Sequence, residues 1–170
     1  MDFEYSIYLT RAQNELNLSS MIIKISDDKK LQISTFGMKE DTYYSAAISH
    51  AYYCIFYAAK AYLLLKGIKT EPPEEHKKTF DAFSNLVGQG IIDVELLMIY
   101  KNIFVKADAL LSIFEIEKGK RGKFTYKRIP QANQEPAQES IKNAQFFYKN
   151  MFGLCEKTIE DEKRKKTEER

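Results

Sequence analysis

The chain contains two histidines, His50 and His76, whose imidazoles titrate closer to neutral pH than any other side chain type. An imidazole in a groove can bind a phosphate or transfer a proton. The structural alternatives are a hydrogen bond from His50 to a neighbouring helix or a dimer mate, and simple solvation of His76. Both residues enter the predicted ligand-binding set. No metal site is predicted, because the two histidines and the nearby Glu74 or Glu75 lack a spacing typical of zinc ligands.

A basic segment lies between residues 118 and 128, in a chain whose net charge is only +2. Its members are the cations Lys118, Lys120, Arg121, Lys123, Lys127 and Arg128, and the aromatic residues Phe124 and Tyr126. Cations interleaved with aromatic rings suit a single-stranded nucleic acid or a nucleotide, because the charges bind phosphates and the rings stack on bases. The alternatives are a solvated loop and a loop ordered by a partner protein. We include these eight residues with the two histidines in the predicted site for RNA or a nucleotide.

Tyrosine is frequent in the stretch that contains His50, and most of these rings are expected in the core. Tyr44 and Tyr52 are the candidates for a dimer interface, where an aromatic ring with a polar tip is well suited. The two cysteines, Cys54 and Cys155, lie in apolar helical stretches without metal or disulfide spacing. We predict two buried free thiols in a reducing cytoplasm.

These residues must be positioned by a long central helix, predicted over 42–66. The segment contains no Pro or Gly, and it is apolar almost all the way round, which is typical of a helix surrounded by other helices. Its small alanines alternate with large rings, so that neighbouring helices can approach closely. Asp41 or Thr42 is predicted to cap its start and Gly67 its end.

The fold predicted around it is an all-α antiparallel bundle of about four long helices and one short helix. The segment 19–41 leaves two alternatives, a small β-hairpin near 21–34 or an extension of the first helix to about Lys24 followed by a loop. A long loop is predicted over 117–136. One helical domain then covers 1–160, and a charged flexible tail covers 161–170. The predicted helices cover 2–18, 42–66, 74–87, 91–116 and 137–160.

Length and composition agree with a single domain. The chain has 170 residues, 44% of them hydrophobic, which is enough for one core. The near-neutral charge gives no global signal for nucleic-acid or membrane binding. Residues 42–65 carry six tyrosines, His50 and Lys60, so we reject a membrane span and expect a cytoplasmic protein.

The central stretch SHAYYCIFYAAKAYLLLKGIK (49–69) and the following EEHKKTFDAF (74–83) resemble the HEPN domain, as found in small stand-alone prokaryotic proteins. The last helix, with IKNAQFFYKNM (141–151), is similar as well. The resemblance implies a bundle of about five helices that commonly dimerises. It also implies a role in RNA-linked defence or in toxin–antitoxin pairs with a small nucleotidyltransferase. Catalytic HEPN proteins cut RNA without metal through an Arg-x(4–6)-His motif near the end of the fourth helix.

The chain departs from that pattern at the positions that carry catalysis. The family's Arg before Tyr-Tyr is here His50, and the Arg that precedes Ala-Asp-Tyr falls on Phe104. The Ala-Asp-Tyr signature reads Ala107-Asp108-Ala109, and no histidine follows His76. The Arg-x(4–6)-His motif is therefore absent from the fourth helix.

We therefore predict a non-catalytic HEPN-like protein, with no catalytic residue, no metal and no cofactor. It is expected to form a homodimer and to bind RNA, a nucleotide or a partner nucleotidyltransferase, without a membrane. Two alternatives stay open: a metal-independent ribonuclease that uses His50 or His76 with a loop arginine, and a purely structural dimerisation module.

Overall fold

The computed structural model describes residues 3–119 and 134–168, with the side chains up to 107 and from 134 onwards. All of its regular elements are helices, and none of the described residues is in a strand, so the all-α prediction is confirmed. The helices are α1 (Glu4–Asp27), α2 (Lys29–Phe36), α3 (Tyr44–Leu65), α4 (Glu75–Gly88), α5 (Val94–Gly119) and α6 (Gln134–Glu168).

Helix α3 is the centre of the bundle, and α1, α4, α5 and α6 all pack against it. Its alanines let the neighbouring backbones come close, and the hydroxyl of Ser19 on α1 donates to the carbonyl of Ala47 at 2.6 Å. The helix ends where Gly67 adopts φ of +74°. There the N–H of Ile68 donates to Leu63 O at 2.8 Å, which is the six-to-one bond of a glycine-terminated helix.

The β-hairpin alternative near 21–34 was wrong, because residues 21–27 continue α1 and residues 29–36 form α2. The side of α1 that faces the core is buried without interruption along its length. It includes two serines that look polar in the sequence but are satisfied by backbone atoms in the structure. The buried residues of α1 are Leu9, Ala12, Leu16, Ser19, Ile23 and Ser26.

The short helix α2, and not a pair of strands, connects α1 to α3, and polar side chains hold it in place. Asp28 caps α2, since its carboxylate accepts the N–H of Leu31 at 2.9 Å. The buried Gln32 amide donates to Ile25 O at 2.6 Å and to Asp41 O at 2.9 Å, and it accepts the Asp41 N–H at 2.9 Å. These bonds hold the segment before α3 against α1 and α2.

The remaining helices bury one face each. On α5 the buried residues Leu96, Tyr100, Ile103 and Ala107 follow a helical spacing. Helix α6 begins at Gln134 and continues to Glu168, eight residues beyond the predicted end near 160. Residues 161–168 are exposed, and the flexibility predicted for the tail stays a prediction.

Within the described part of the chain, no helix is both long and apolar enough to cross a membrane.

Candidate functional site

The predicted basic segment falls almost entirely outside the described residues. Lys118 lies in the last turn of α5, where no side chain is described. The other seven members lie between α5 and α6, outside the described ranges; they are Lys120, Arg121, Lys123, Phe124, Tyr126, Lys127 and Arg128. Their role in binding stays a prediction.

His76 lies in the first turn of α4 and is half-buried against aromatic residues of α3. Its ring stacks on Phe56, with ring centroids 4.1 Å apart and planes 18° apart. Its Nδ1 is 2.7 Å from the hydroxyl of Tyr52, a hydrogen bond whose direction follows the tautomer of the imidazole. His76 is therefore not a solvated residue, which was the structural alternative considered from the sequence.

The environment of His76 disfavours its charged form. Burial lowers the pKa of the His76 imidazole, and the positive charge of Lys60 lowers it further. The side chain is therefore held as a neutral ring at neutral pH, able to stack on a base and to hydrogen-bond but contributing no charge to an anion.

Lys60 is itself buried, with 6% of its surface exposed. It forms an ion pair with Glu75, the residue before His76. Its ammonium also lies 4.8 Å from the centroid of the Tyr8 ring on α1. A buried lysine needs such partners because an isolated ammonium ion in the core would be strongly disfavoured. The pair fixes the first turn of α4 on α3, and so it positions His76.

His50 is bound by a carboxylate of another helix. Its Nδ1 lies 2.6 Å from Glu15 Oε2 of α1, and about 30% of the His50 side chain remains exposed. Of the alternatives considered for His50, a hydrogen bond to a neighbouring helix therefore describes this contact. Both side chains of the pair remain partly exposed.

A row of half-buried rings leads from His76 along α3 to Tyr8 on α1. The rings of Tyr8 and Tyr57 are 6.0 Å apart, those of Tyr57 and Tyr53 6.2 Å, and those of Tyr53 and His76 5.8 Å. The guanidinium of Arg11 lies 5.7 Å from the centroid of Tyr8 and 5.8 Å from that of Tyr57. We call Tyr8, Tyr57, Tyr53 and His76 the ring ladder.

Sequence reasoning missed most of the ring ladder. It placed the tyrosine run that includes Tyr53 and Tyr57 mostly in the core, and it gave Tyr8 and Arg11 no role in a site. One signal was available, because His50, Tyr53 and Tyr57 are three and four residues apart and must share one face of α3. The contact with Tyr8 and Arg11 joins residues far apart in the chain, which no local pattern reveals.

The two tyrosines predicted at a dimer interface have partners within their own chain. Tyr52 is 5% exposed and contacts His76, Tyr53 and Phe56. The hydroxyl of Tyr44 lies 2.5 Å from Asp27 Oδ1, and this hydrogen bond is the main reason that the pKa of Tyr44 is raised to about 12. Their place in a dimer stays a prediction.

The cysteines are buried and free, as predicted. Burial raises the pKa of both Cys54 and Cys155 to about 12, so neither thiol is a nucleophile at neutral pH. Among the described side chains, no three of the types His, Cys, Asp and Glu converge in a way that could hold a metal ion.

A sequence model of the HEPN domain matches residues 31–154, well over half of the chain. The chain belongs to the HEPN family. The resemblance drawn from residues 49–69, 74–83 and 141–151 is thereby confirmed, and the six helices agree with a HEPN bundle. No curated protein matches the chain closely enough to serve as a named relative.

Within the HEPN fold, the two positions where an arginine is expected from the resemblance lie near the ring ladder. His50 occupies the first and is bound by Glu15. Phe104 occupies the second, and its ring stacks on Phe80 at 5.7 Å and meets the edge of Tyr52 at 5.9 Å. A ring therefore fills the place of one cation, and a carboxylate-bound histidine fills the place of the other.

Proposed function

We propose that this HEPN protein is a non-catalytic, cytoplasmic module that binds single-stranded RNA on the ring ladder and self-associates, in a toxin–antitoxin or defence setting. The observation that carries the proposal is the row of half-buried rings with Arg11 beside it. A nucleotide shares the same chemistry and would occupy part of the same surface. A partner nucleotidyltransferase is the alternative occupant.

The partial exposure of the ladder tyrosines supports this choice of ligand. Single-stranded nucleic acids bind to aromatic platforms because every base has a π-face, and each stacked base contributes roughly 1–3 kcal/mol. Tyr53 and Tyr57 are half-buried, so their inner edges are fixed by packing while their outer parts face solvent. Tyrosines held in this way lose little conformational freedom when a base stacks on them.

Charge near the ladder is modest. Glu15 lies against His50 and Glu75 against Lys60, which leaves Arg11 as the principal cation beside the rings. We assign the remaining phosphate contacts to the basic segment 118–128. For single strands the slope of log affinity against log salt is about 0.7 per phosphate contact. The ladder alone predicts a slope below about one, and the ladder with six further cations predicts a slope of roughly five.

The test is binding of a labelled single-stranded RNA at several salt concentrations, with cleavage scored in the same gel. Tyr57→Ala should weaken binding by roughly five- to 150-fold, which corresponds to the loss of one stacked base. Tyr148→Ala is the matched control, because Tyr148 is a half-buried tyrosine on α6. The combined Ala variant at Lys120, Arg121, Lys123 and Arg128 should lower the salt slope.

Each outcome separates the alternatives. Equal loss of affinity in Tyr57→Ala and Tyr148→Ala would refute the ring ladder as the binding surface. Unshifted RNA together with tight binding to a nucleotidyltransferase would replace the ligand with a protein partner. Unshifted RNA, no partner and a dimer indifferent to salt would leave a purely structural dimerisation module.

One observation favours a second candidate, a metal-independent ribonuclease. A histidine whose Nδ1 is held by a carboxylate, as His50 is by Glu15 at 2.6 Å, has the arrangement of a general base. RNA cleavage by wild-type protein that is abolished in His50→Ala, and retained in His76→Ala, would establish this function. Intact RNA with pure wild-type protein would exclude it.

A further inference from the structure

A groove of about 370 Å³ lies between α1 and α6, and it shares no residue with the ring ladder. This volume is in the range of pockets that hold small organic molecules. The buried residues Leu9 and Cys155 line it, together with the partly exposed rings of Tyr5, Tyr148 and Phe152. We call this space the seam groove.

The aromatic rings of the seam groove come from two helices. Tyr148 and Phe152 are one turn apart on α6, with ring centroids 6.1 Å apart and planes inclined by 37°. Tyr5 lines the groove from α1. The face of an aromatic ring is negative, so rings that line a pocket from two sides attract an organic cation. Cages of this type bind quaternary ammonium groups.

The formal charge along the seam groove has one sign. Among the described residues that line it, Glu156 is the only acidic or basic one, and it follows Phe152 by one turn of α6. Its side chain is exposed, and it forms no ion pair with any other described residue. An exposed and unpaired carboxylate is available to a cationic ligand.

The charge of Glu156 also reaches the buried side of the groove. Burial raises the pKa of the Cys155 thiol, and of the two charges that act on it, Lys66 lowers the pKa and Glu156 raises it. Lys66 does not line the groove. Its ammonium lies 5.2 Å from the centroid of the Tyr62 ring, so this cation has an aromatic partner of its own.

The hydroxyl groups on the α1 side of the groove are left as acceptors. Ser6 donates its proton to Phe3 O at 2.7 Å, and Thr10 donates to Ser6 O at 2.9 Å. A hydroxyl has a single proton, so both oxygens offer only lone pairs to a ligand. Lone pairs, ring faces and a carboxylate all favour a positively charged ligand.

A second groove between the same two helices supplies a contrast. It has a volume of about 280 Å³ and is lined by Lys24 of α1 and Lys142 of α6, beside Ile23 and Ile141. Among its described lining residues there is neither an aromatic ring nor an acid. A cation should therefore bind in the seam groove and avoid this second groove.

We propose that the seam groove binds a small organic ammonium ion, which contacts the rings of Tyr5, Tyr148 and Phe152 and is neutralised by Glu156. This inference goes beyond the proposed function, because an RNA strand is an anion and Glu156 would repel it. The two sites can therefore be tested independently.

The experiment is a titration of the full chain with choline chloride, followed by amide proton–nitrogen correlation spectra. The matched ligand is the neutral alcohol in which carbon replaces the quaternary nitrogen of choline, and sodium chloride controls for salt. Because the groove is partly open, we expect a dissociation constant for choline of about 1 mM. Choline should bind roughly tenfold more tightly than the neutral alcohol. The shifted amides should be those of α1 and α6 along the seam groove.

Substitutions on α6 identify the groups responsible. Phe152→Ala should raise the dissociation constant for choline roughly two- to thirtyfold, as expected for the loss of one cation–π contact. Glu156→Gln should raise it roughly two- to fivefold. The matched controls are Phe146→Ala and Glu160→Gln, because both residues are exposed on α6 and neither lines the groove. Both controls should retain the wild-type constant, and circular dichroism should show wild-type helix content in all four variants.

Three results would overturn the proposal. Equal affinity for choline and the neutral alcohol would show that the groove is only apolar. Choline shifts centred on Lys24 and Lys142 would place the ligand in the wrong groove. Spectra unchanged at about 50 mM choline, fifty times the expected constant, would exclude the site. RNA binding, measured separately, would leave the ring ladder standing in each case.

Discussion

Two clusters of aromatic rings in this bundle have almost the same spacing but different surroundings. In the core, Phe80, Phe83, Tyr100 and Phe147 have ring centroids 5.2–5.9 Å apart. In the ring ladder the corresponding distances are 5.8–6.2 Å. Phe83, Tyr100 and Phe147 are fully buried, whereas the ladder is half-buried and borders charged side chains. Ring spacing therefore does not distinguish a core from a binding surface; exposure and polar neighbours do.

The largest expected difference between the clusters is in stability. Phe147→Ala should lower the free energy of unfolding by about 3–5 kcal/mol, because it leaves a cavity among fully buried rings. Tyr57→Ala should cost only about 1 kcal/mol, the usual effect of a point substitution, since its ring is half-exposed. Urea unfolding measures both. Equal losses of stability in the two variants would contradict the distinction between core rings and ladder rings. Impaired RNA binding by a folded Phe147→Ala variant would contradict it as well.

The next largest effect compares removal of each partner of the ion pair between Lys60 and Glu75, which lies beside the ladder. Glu75→Ala leaves the ammonium of Lys60 buried without its carboxylate, at a cost of roughly 2–3 kcal/mol, below the 3–5 kcal/mol of a fully buried pair because Glu75 is a quarter exposed. Lys60→Met should be close to neutral, because Met replaces the apolar stem and water can reach Glu75. Equal losses in urea unfolding would show that the pair contributes through attraction alone.

Much of this fold could be predicted from sequence because the pattern is local. Helix α3 was predicted over 42–66 and covers Tyr44–Leu65, since an apolar run without Pro or Gly ends at Gly67. The second half of α1 was harder to predict. Ser19 and Ser26 are buried there because their hydroxyls donate to the carbonyls of Ala47 and Ile22, and a hydropathy pattern counts them as exposed.

Only part of the site could be predicted. The sequence identifies His50 and His76 by residue type alone, and neither contact partner follows from it. Glu15 lies 35 residues before His50, and Tyr52 lies 24 residues before His76. Such pairs depend on the packing of α1 and α4 against α3. The same limit applies to the ring ladder, whose Tyr8 and Tyr57 come from different helices.

A smaller effect compares one hydroxyl in each cluster. Within the described residues, the hydroxyl of Tyr100 is buried and has no hydrogen-bond partner, whereas that of Tyr52 bonds His76 at 2.7 Å. Tyr100→Phe should therefore raise the free energy of unfolding by about 1 kcal/mol, and Tyr52→Phe should lower it by a similar amount. Thermal and urea unfolding give the signs. Destabilisation by Tyr100→Phe would mean that its hydroxyl is satisfied in solution.

The smallest expected effect is the dependence of the free energy of unfolding on pH. Of the two ring clusters, the ladder contains a histidine and the core cluster does not, so the ladder should add a pH-dependent contribution. Burial and Lys60 lower the pKa of His76 below its ordinary value of 6.5. Between the lowered pKa and 6.5 the folded state binds fewer protons than the unfolded state, so stability rises with pH across that window. The contribution of His76 to the free energy of unfolding is therefore complete above pH 6.5, and it is lost as the pH falls towards the lowered pKa.

The measurement is urea unfolding of wild type and His76→Asn at pH 7.5 and pH 5.5. The stability advantage of wild type should be smaller at pH 5.5, since protonation disfavours the buried ring beside Lys60. Lys60→Met removes the second cause of the lowered pKa, so this variant should lose less stability than wild type between the two pH values. If wild type and His76→Asn lose equal stability on acidification, the carboxylates govern the response and His76 is not held neutral by its surroundings.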